Sequence, residues 1–246
     1  MRRTAMALVA AILFAWPAAS SGADEVLDLV KKSVNAYGGE KALATLIFLE
    51  SGRLTSAMQG GKEGSIARLY RRPDKLRVEV SFADETPEVR ILDGKNGWRQ
   101  SQEASGMPLD AMVLQAARFA LPLNLLQRRG ALKDLGTAAR DGKILRVLEL
   151  PLGRGLSVTA EIDPANGRIL RSTAKSAGGM GGMSMSVGGT PGGGVEFATT
   201  YDDFRKVDGF LFAFKEGNFA MGQHTGDTVL DKIEILKALP DGALTP

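Results

Sequence analysis

The stretch SIARLYRRPDKLRVEVSF, residues 65–82, contains two runs in which apolar and polar residues alternate, separated by the turn signal Arg72-Pro73-Asp74. Alternation with a period of two is typical of a β-strand that buries one face and exposes the other. The apolar positions of the second run are Leu76, Val78, Val80 and Phe82. The stretch therefore predicts a β-hairpin whose apolar face lies against a core.

Comparable runs extend over most of the chain in both directions, and turn residues such as Asp93-Gly94 and Asp163-Pro164 separate them. Strands of about nine residues extend roughly 30 Å, and a large sheet of such strands twists and tends to curl. Eleven strands are predicted, at residues 46–57, 64–71, 75–82, 86–92, 96–101, 143–151, 155–163, 167–175, 195–205, 210–219 and 226–238.

Two segments show the helical period instead. Apolar residues recur every three to four positions over residues 24–37, and Gly38-Gly39 marks the end of that helix. Residues 108–129 have a second apolar face, which Pro122 interrupts or kinks, and a short helical turn is expected at 40–46. We therefore predict a fold class that is mainly β with a few helices. It is an incomplete, strongly curved antiparallel β-barrel of about eleven strands, with helices covering its concave face.

The first 23 residues are typical of a secretory signal peptide, because two arginines precede an apolar run that ends near Trp16, and small residues follow up to Ala23. The run is too short to cross a bilayer, which takes about 20 apolar residues, so we expect no integral membrane protein. The chain has no cysteine, which excludes an acylated N-terminal cysteine. We therefore expect an exported protein, cleaved near Ala23 and located in the periplasm, with secretion as the alternative.

The charge balance gives no sign of a nucleic-acid partner. Removal of residues 1–23 takes two arginines from the 31 basic residues and no acid, which leaves 29 basic against 28 acidic residues. Because these residues interleave instead of forming a basic stripe, we predict that the protein does not bind nucleic acid.

The run AGGMGGMSMSVGGTPGGG, residues 177–194, has three interpretations: a linker between domains, a methionine metal site or the tip of a long hairpin. Only about 50 residues follow it, and three strands without a helix make a marginal unit on their own. The flanking runs also alternate like the two partners of one hairpin. We therefore predict a hairpin tip within a single domain over residues 24–246. Thioethers are ligands that copper(I) prefers, so a site at Met180, Met183 and Met185 is kept as an alternative.

Enzymatic chemistry has little support in the sequence. Cysteine is absent and His224 is the only histidine, so a nucleophile-histidine pair has at most one candidate base. Asp202 and Asp203 are neighbours on a predicted strand and point to opposite faces, so they do not converge on one substrate. No phosphate-binding loop and no zinc-protease motif occurs. We predict no catalytic residue, no metal site and no cofactor.

Three stretches resemble one known family: AYGGEKAL at 36–43, LDGKNGW at 92–98 and, above all, YDDFRKVDGFLFAF at 201–214. They are similar to the bacterial outer-membrane lipoprotein-sorting proteins, the broad relatives of the LolA/LolB-type periplasmic carriers, in which the last stretch has the pattern D-Y-R-x-V-D-G-x-x-F-P-F. The chain departs from that pattern at Phe204, where tyrosine is usual, and at Ala213, where proline is usual. The matching positions are Asp203, Arg205, Val207, Asp208, Gly209, Phe212 and Phe214.

The resemblance implies an incomplete barrel of roughly eleven strands that holds acyl chains between its concave side and its helices. We accordingly predict a non-enzymatic periplasmic carrier of lipid or lipoprotein acyl chains, acting in lipoprotein sorting or envelope lipid handling, with inner- and outer-membrane proteins as further partners. Hydrocarbon burial contributes about 0.8 kcal/mol per methylene, so such binding needs no catalytic group. The predicted ligand-binding residues are Leu76, Val78, Val80, Phe82, Trp98, Met112, Phe119, Phe210, Phe212 and Phe214.

Other interpretations of the same residues stay open. Apolar side chains at these positions also describe a filled sheet core, and the sequence does not separate a packed interior from a hollow one. Two further functions are kept as alternatives: an envelope-stress sensor or interaction module of the same fold, and a periplasmic copper(I)-binding protein that uses the methionine-rich tip.

Overall fold

The computed structural model describes residues 22–176 and 195–246. Within these ranges it has four α-helices: α1 (Gly22–Ala36), α2 (Glu40–Ala44), α3 (Met107–Phe119) and α4 (Leu121–Gln127). It also has thirteen strands: β1 (Ile47–Ser56), β2 (Lys62–Arg71), β3 (Lys75–Phe82), β4 (Glu88–Asp93), β5 (Asn96–Arg99), β6 (Gln102–Glu103), β7 (Lys133–Arg140), β8 (Lys143–Gly153), β9 (Leu156–Ile162), β10 (Ile169–Ser176), β11 (Val195–Val207), β12 (Phe210–Ala220) and β13 (Gln223–Ile235).

All thirteen strands of the described chain form one antiparallel sheet in the order β6-β5-β4-β3-β2-β1-β13-β12-β11-β10-β9-β8-β7. Every neighbour is also a neighbour in sequence, except that β1 pairs with β13, from Phe48 opposite Ile235 to Ser56 opposite Gly226. The two edge strands, β6 and β7, follow each other in the chain. Residues 104–132, which include α3 and α4, therefore connect one edge of the sheet to the other.

The position of α3 shows how strongly the sheet curves. Helix α3 contacts β3, β4 and β5 on one side, and β9 and β10 on the other. β4 and β9 are eight positions apart in the sheet, a separation of about 38 Å if the sheet were flat. A helix with its side chains is only about 10–12 Å across. The sheet therefore wraps around α3, and because its edges do not pair it is an incomplete barrel, as predicted.

Two hydrophobic clusters fill the concave side. The first lies on the β1–β4 half of the sheet and includes Phe48 and Leu76, and the second lies on β8–β10 and includes Leu148 and Val158. The helices pack between the clusters. Three partly buried side chains contact both clusters: Val113 of α3, Leu126 of α4 and Tyr37, which directly follows α1.

The turn between β11 and β12 has the geometry expected from its sequence. Asp208 and Gly209 are its two central residues, with φ of 48° and 88°, and Val207 pairs with Phe210 across it. Positive φ at both central positions is the requirement of the two-residue turn that suits twisted strands. On the other side of β11, Ser176 of β10 pairs with Val195. The strands flanking residues 177–194 therefore pair, as predicted, whereas the predicted tip itself lies outside the described residues.

The helical segment predicted at residues 108–129 is interrupted and forms two helices. α3 and α4 meet at Ala120 with their axes bent by 85°. Pro122 lies in the first turn of α4, where its missing N–H has no intrahelical partner in any case, so it begins a helix instead of kinking one. Within the described ranges no single helix is long and apolar enough to span a membrane; α3 and α4 reach the required length and hydropathy only when taken together across this bend.

The strand count is the main correction to the predicted fold. The structure has thirteen strands instead of about eleven, because β6 and β7 were not predicted. β6 has two residues, and β7 is an edge strand whose side chains are mostly exposed, so neither carries an alternating apolar pattern. Helix α1 begins at Gly22 and therefore runs across the predicted cleavage point near Ala23.

Candidate functional site: an apolar cavity beside a buried charged cluster

A cavity lies between the concave face of β1 and β12 and the junction of α3 and α4. It encloses about 880 Å³ of empty space, a figure that includes its open mouth. The side chains that form its walls are mainly aromatic and aliphatic, with two carboxylates and two guanidinium groups among them. The lining residues are Tyr37, Leu43, Leu46, Phe48, Glu50, Tyr70, Arg72, Arg118, Phe119, Ala120, Leu121, Pro122, Leu123, Ile169, Tyr201, Phe210, Leu211, Phe212, Ala213 and Glu216.

Four aromatic rings pack together along one wall of the cavity. The ring centroid of Phe48 lies 5.2 Å from that of Phe212, 5.5 Å from that of Phe119 and 5.5 Å from that of Tyr70. Such separations are those of favourable aromatic pairs. Phe48 is the centre of this group because it faces inward from β1 and is almost completely buried. The concave side is therefore partly filled by its own side chains and partly open.

The predicted ligand-binding residues occupy three kinds of position. Phe119, Phe210 and Phe212 line the cavity. The residues that belong to the first hydrophobic cluster or pack against it are Leu76, Val78, Val80, Met112 and Phe214. Phe82 stacks under the ammonium group of Lys62, 5.5 Å from its ring centroid, and the half-buried Trp98 lies opposite Ile91 on the β4–β5 pair.

The sequence analysis missed a group of buried charges beside the cavity. Arg68 of β2 donates a hydrogen bond from Nη1 to Glu216 Oε2 of β12 at 2.8 Å, and its Nε lies against Glu50 Oε1 of β1. The side chains of Arg68, Glu50 and Glu216 are 3%, 4% and 7% exposed. Arg68 also lies 5.3 Å from the ring centroid of Phe119, so the charged group adjoins the aromatic wall.

Burial shifts the ionisation of this group. It raises the pKa of Glu50 to about 7, an effect that Arg68 opposes and the second carboxylate, Glu216, reinforces. Burial alone would lower the pKa of Arg68, but the carboxylates of Glu216 and Glu50 outweigh it and hold that pKa above its ordinary value. Arg68 is therefore a permanent cation, whereas Glu50 exchanges its proton near neutral pH.

A second arginine, Arg118, reaches the same region from the last turn of α3. It donates from Nη1 to Thr199 Oγ1 at 2.6 Å, and Thr199 donates in turn to Asn218 Oδ1 at 3.2 Å. Nearby, the hydroxyl groups of Ser172 and Tyr201 are 2.7 Å apart. Polar groups therefore adjoin the cavity around Arg118 and Tyr201, whereas most of its walls are apolar.

A signal for these charges is present in the sequence. Glu50 lies two residues after the inward-facing Phe48, Arg68 lies between Ile66 and Tyr70, and Glu216 follows Phe214 by two. Because side chains two apart on a strand share a face, each charge belongs to the buried face of its strand. A charged residue that shares the face of the apolar residues of its strand therefore indicates a buried charge.

Catalytic and metal-binding arrangements are not found in the part of the chain that the structure describes. No group of three or more His, Cys, Asp or Glu side chains there is placed to hold a metal ion. His224 is partly exposed and lies 3.1 Å from Asp227. Asp202 and Asp203 are exposed, and Asp203 is paired with Arg205. The three methionines of the copper alternative, Met180, Met183 and Met185, lie outside the described residues.

No family model and no curated protein sequence matches the chain, but solved structures do. A LolA superfamily protein from Nitrosomonas europaea is 13% identical, with a TM-score of 0.56, over 89% of this chain and 97% of that one. A DUF1329 family protein from Desulfovibrio piger is 11% identical, with a TM-score of 0.46, over 90% and 96% of the two chains. The MucA/MucB complex from Pseudomonas aeruginosa aligns at 11% identity and a TM-score of 0.26, over 89% and 95%.

The similarity to the Nitrosomonas europaea protein shows the fold. It spans nearly the whole of both chains, and it agrees with the single curved sheet and the helices on its concave side. This chain has a LolA-like fold, as the sequence motifs implied.

Proposed function

We propose that this protein is a non-enzymatic, exported binder of acyl chains from a lipid or lipoprotein, and that it carries them within the periplasm. The observation that supports the proposal most directly is the apolar cavity between the concave sheet and the α3–α4 junction. Its walls are mainly hydrophobic and aromatic with a few polar groups among them, which is the usual lining of a small-molecule site. Each methylene that enters such a site contributes about 0.8 kcal/mol.

The helices around the cavity supply an element that can move to admit a long chain. α4 packs on α1, α2 and α3. Its polar connections to the β2–β3 turn are hydrogen bonds from Arg72 to Asn124 Oδ1, at 3.1 Å, and to Gln127. We propose that α3 and α4 form a lid, and that its displacement extends the cavity toward the first hydrophobic cluster. The predicted ligand residues that the closed cavity does not expose would then contact the ligand.

The cavity can be tested by placing a charge on its wall. Phe210→Asp is expected to weaken binding of a fluorescent fatty-acyl probe at least about tenfold, because an ionised carboxylate in an apolar site carries a large desolvation cost. The control is Phe204→Asp, at a half-buried phenylalanine on the neighbouring strand that lies outside the cavity. Probe titration would measure affinity, and circular dichroism would verify that both variants fold.

Native mass spectrometry of the purified protein provides the complementary measurement, since a carrier should retain lipid that organic extraction releases. Lipid-free protein that ignores acyl probes would contradict the proposal. If such protein instead captured a partner from a periplasmic extract, the interaction or sensor alternative would be favoured. N-terminal sequencing of the exported form would test cleavage near Ala23.

A further inference from the structure

Arg118 forms no ion pair with an acidic residue in the described ranges, although it lines a mainly apolar cavity. Its hydrogen bond goes to the neutral hydroxyl of Thr199, and its buried Nε has no hydrogen-bond partner there. The remaining residues, 1–21 and 177–194, contain no Asp or Glu. The buried carboxylates of Glu50 and Glu216 are both paired with Arg68. Arg118 forms no ion pair with Glu50 and acts on it only through its charge, which lowers the pKa of that carboxyl.

Arg72, the other arginine of the cavity wall, also bonds to neutral groups, the side-chain amide oxygens of Asn124 and Gln127. A cation without a counterion in apolar surroundings is unfavourable, and the cost falls when an anion binds. The guanidinium group is suited to this task because its planar set of donors matches the oxygens of a carboxylate or a phosphate. The cavity thus combines a hydrocarbon-lined wall with a guanidinium group that lacks an acid.

We propose that Arg118 binds the anionic head group, a carboxylate or phosphate, of an amphiphile whose hydrocarbon chain lies against Phe48, Phe119 and Phe212. The inference rests on the proposed function, because the hydrocarbon occupies the same cavity. It adds the class of ligand and its orientation: an acidic amphiphile binds with its charged group at Arg118. The position of Arg118 at the last turn of α3 is consistent with this role, since that helix end favours a cation before any ligand arrives.

The test compares ligands that share a chain and differ in head group. Palmitate and hexadecyl phosphate should bind the purified protein at least about tenfold more tightly than the neutral hexadecanol, the effect of one charge-assisted contact. Arg118→Met should reduce this preference to about twofold or less, and Arg118→Lys should restore part of it. Arg53→Met is the matched control, because Arg53 is a mostly exposed arginine of β1 and its replacement should leave the preference intact. Displacement of a fluorescent acyl probe gives all of these affinities.

The outcomes separate the two proposals. Equal affinity for palmitate and hexadecanol in the unmodified protein would overturn this inference and leave the acyl-binding function standing. A preference that persists in Arg118→Met would also overturn it. Absence of binding by all three amphiphiles would overturn both proposals. Binding of inorganic phosphate that depends on Arg118 and that amphiphiles do not displace would identify a free anion as the ligand, which contradicts the amphiphile.

Discussion

Three charged side chains, Glu50, Arg68 and Glu216, take inward positions on strands whose other inward residues are apolar. Well-packed apolar residues often replace such a buried ion group without loss of stability, whereas removal of one member leaves an uncompensated charge. The presence of these three charges is thus poor evidence that they add stability. It is better evidence that the cavity beside them requires buried charges. The contact of Arg68 with Phe119, which lines the cavity, connects that requirement to the ligand space.

The buried position of Glu50 predicts a specific dependence of stability on pH. Its pKa is about 7 in the folded chain and near its ordinary value of 4.5 in the unfolded chain. Between these values the folded state holds the proton and the unfolded state has lost it, so the stabilising contribution is complete below about 4.5 and is lost as the pH rises to about 7. The free energy of unfolding of Glu50→Gln, minus that of the unmodified protein, should therefore be higher at pH 8 than at pH 4.5. The expected rise is about 2–3 kcal/mol.

Urea unfolding of both proteins at the two pH values measures this difference. Glu234→Gln, at a partly exposed glutamate of β13, is the control and should change little between the same conditions. If the difference in unfolding free energy between Glu50→Gln and the unmodified protein were equal at both pH values, it would contradict the raised pKa of Glu50.

The roles of single inward-facing residues were the least completely predicted from the sequence. The alternation in KLRVEVSF correctly placed Leu76 and Val78 inside. It did not separate side chains that line open space, such as Phe212, from those that are simply packed, such as Phe214, because both face inward from one strand. That distinction depends on how far the helices lie from each strand, which no local pattern encodes.

At the scale of elements, α1 is fixed to the sheet by a close contact with the turn between β9 and β10. Lys32 Nζ donates to the carbonyl oxygen of Pro164 at 2.8 Å, and the backbone N–H of Ile169 donates to Tyr37 Oη at 3.1 Å. Gly167 lies between these contacts with φ of 75°, and a Cβ there would come within 2.8 Å of the backbone carbon of Lys32. Glycine at this position allows the helix to approach the turn.

Gly167→Ala should therefore destabilise the protein more than the backbone angle alone explains. Gly142, in the turn between β7 and β8, is a matched control, since its φ is 76° and a Cβ there would meet nothing within 4 Å. Gly142→Ala should cost about 1–2 kcal/mol from the left-handed conformation, and Gly167→Ala about 1–3 kcal/mol more from the steric overlap. Equal losses of unfolding free energy in the two variants would show that α1 does not need the close approach.

The elements with strong periodicity were predicted well and the others were not. α1, the β2–β3 hairpin and the β11–β12 hairpin follow from apolar spacing and turn chemistry, which act locally. β7 forms because β8 provides a partner, and its exposed residues show no alternation that would indicate it. The separation of α3 from α4 at Ala120 likewise depends on the concave surface that both helices cover.

At the scale of the whole molecule, the pairing of β1 with β13 in the middle of the strand order makes one continuous sheet. This pairing joins the β1–β6 half to the β7–β13 half by backbone hydrogen bonds, and residues 104–132 connect the two halves along the chain. The sequence predicted a long antiparallel sheet from the succession of hairpins, but the order of strands at its centre requires a contact between the two ends of the chain, which no hairpin signal specifies.

Removal of residues 223–246 should consequently abolish cooperative unfolding, since it exposes the edges of β1 and β12 and removes the core residues Leu230 and Ile233. Removal of residues 237–246 alone is the control: this segment follows β13 and is mostly exposed, so the shortened chain should melt within a few degrees of the complete one. Thermal unfolding followed by circular dichroism would compare them. A cooperative transition in the shorter product would contradict the central role of β13.

The β1–β13 pair also sets a constraint on the order of assembly during synthesis. A polypeptide that is made from its N-terminus presents β1 long before β13, so for most of synthesis the first strand has one neighbour and an exposed row of backbone donors and acceptors. Such rows invite pairing with other chains. Completion of the sheet therefore waits for the last tenth of the polypeptide, and until then the edge of β1 is open to a strand of another molecule.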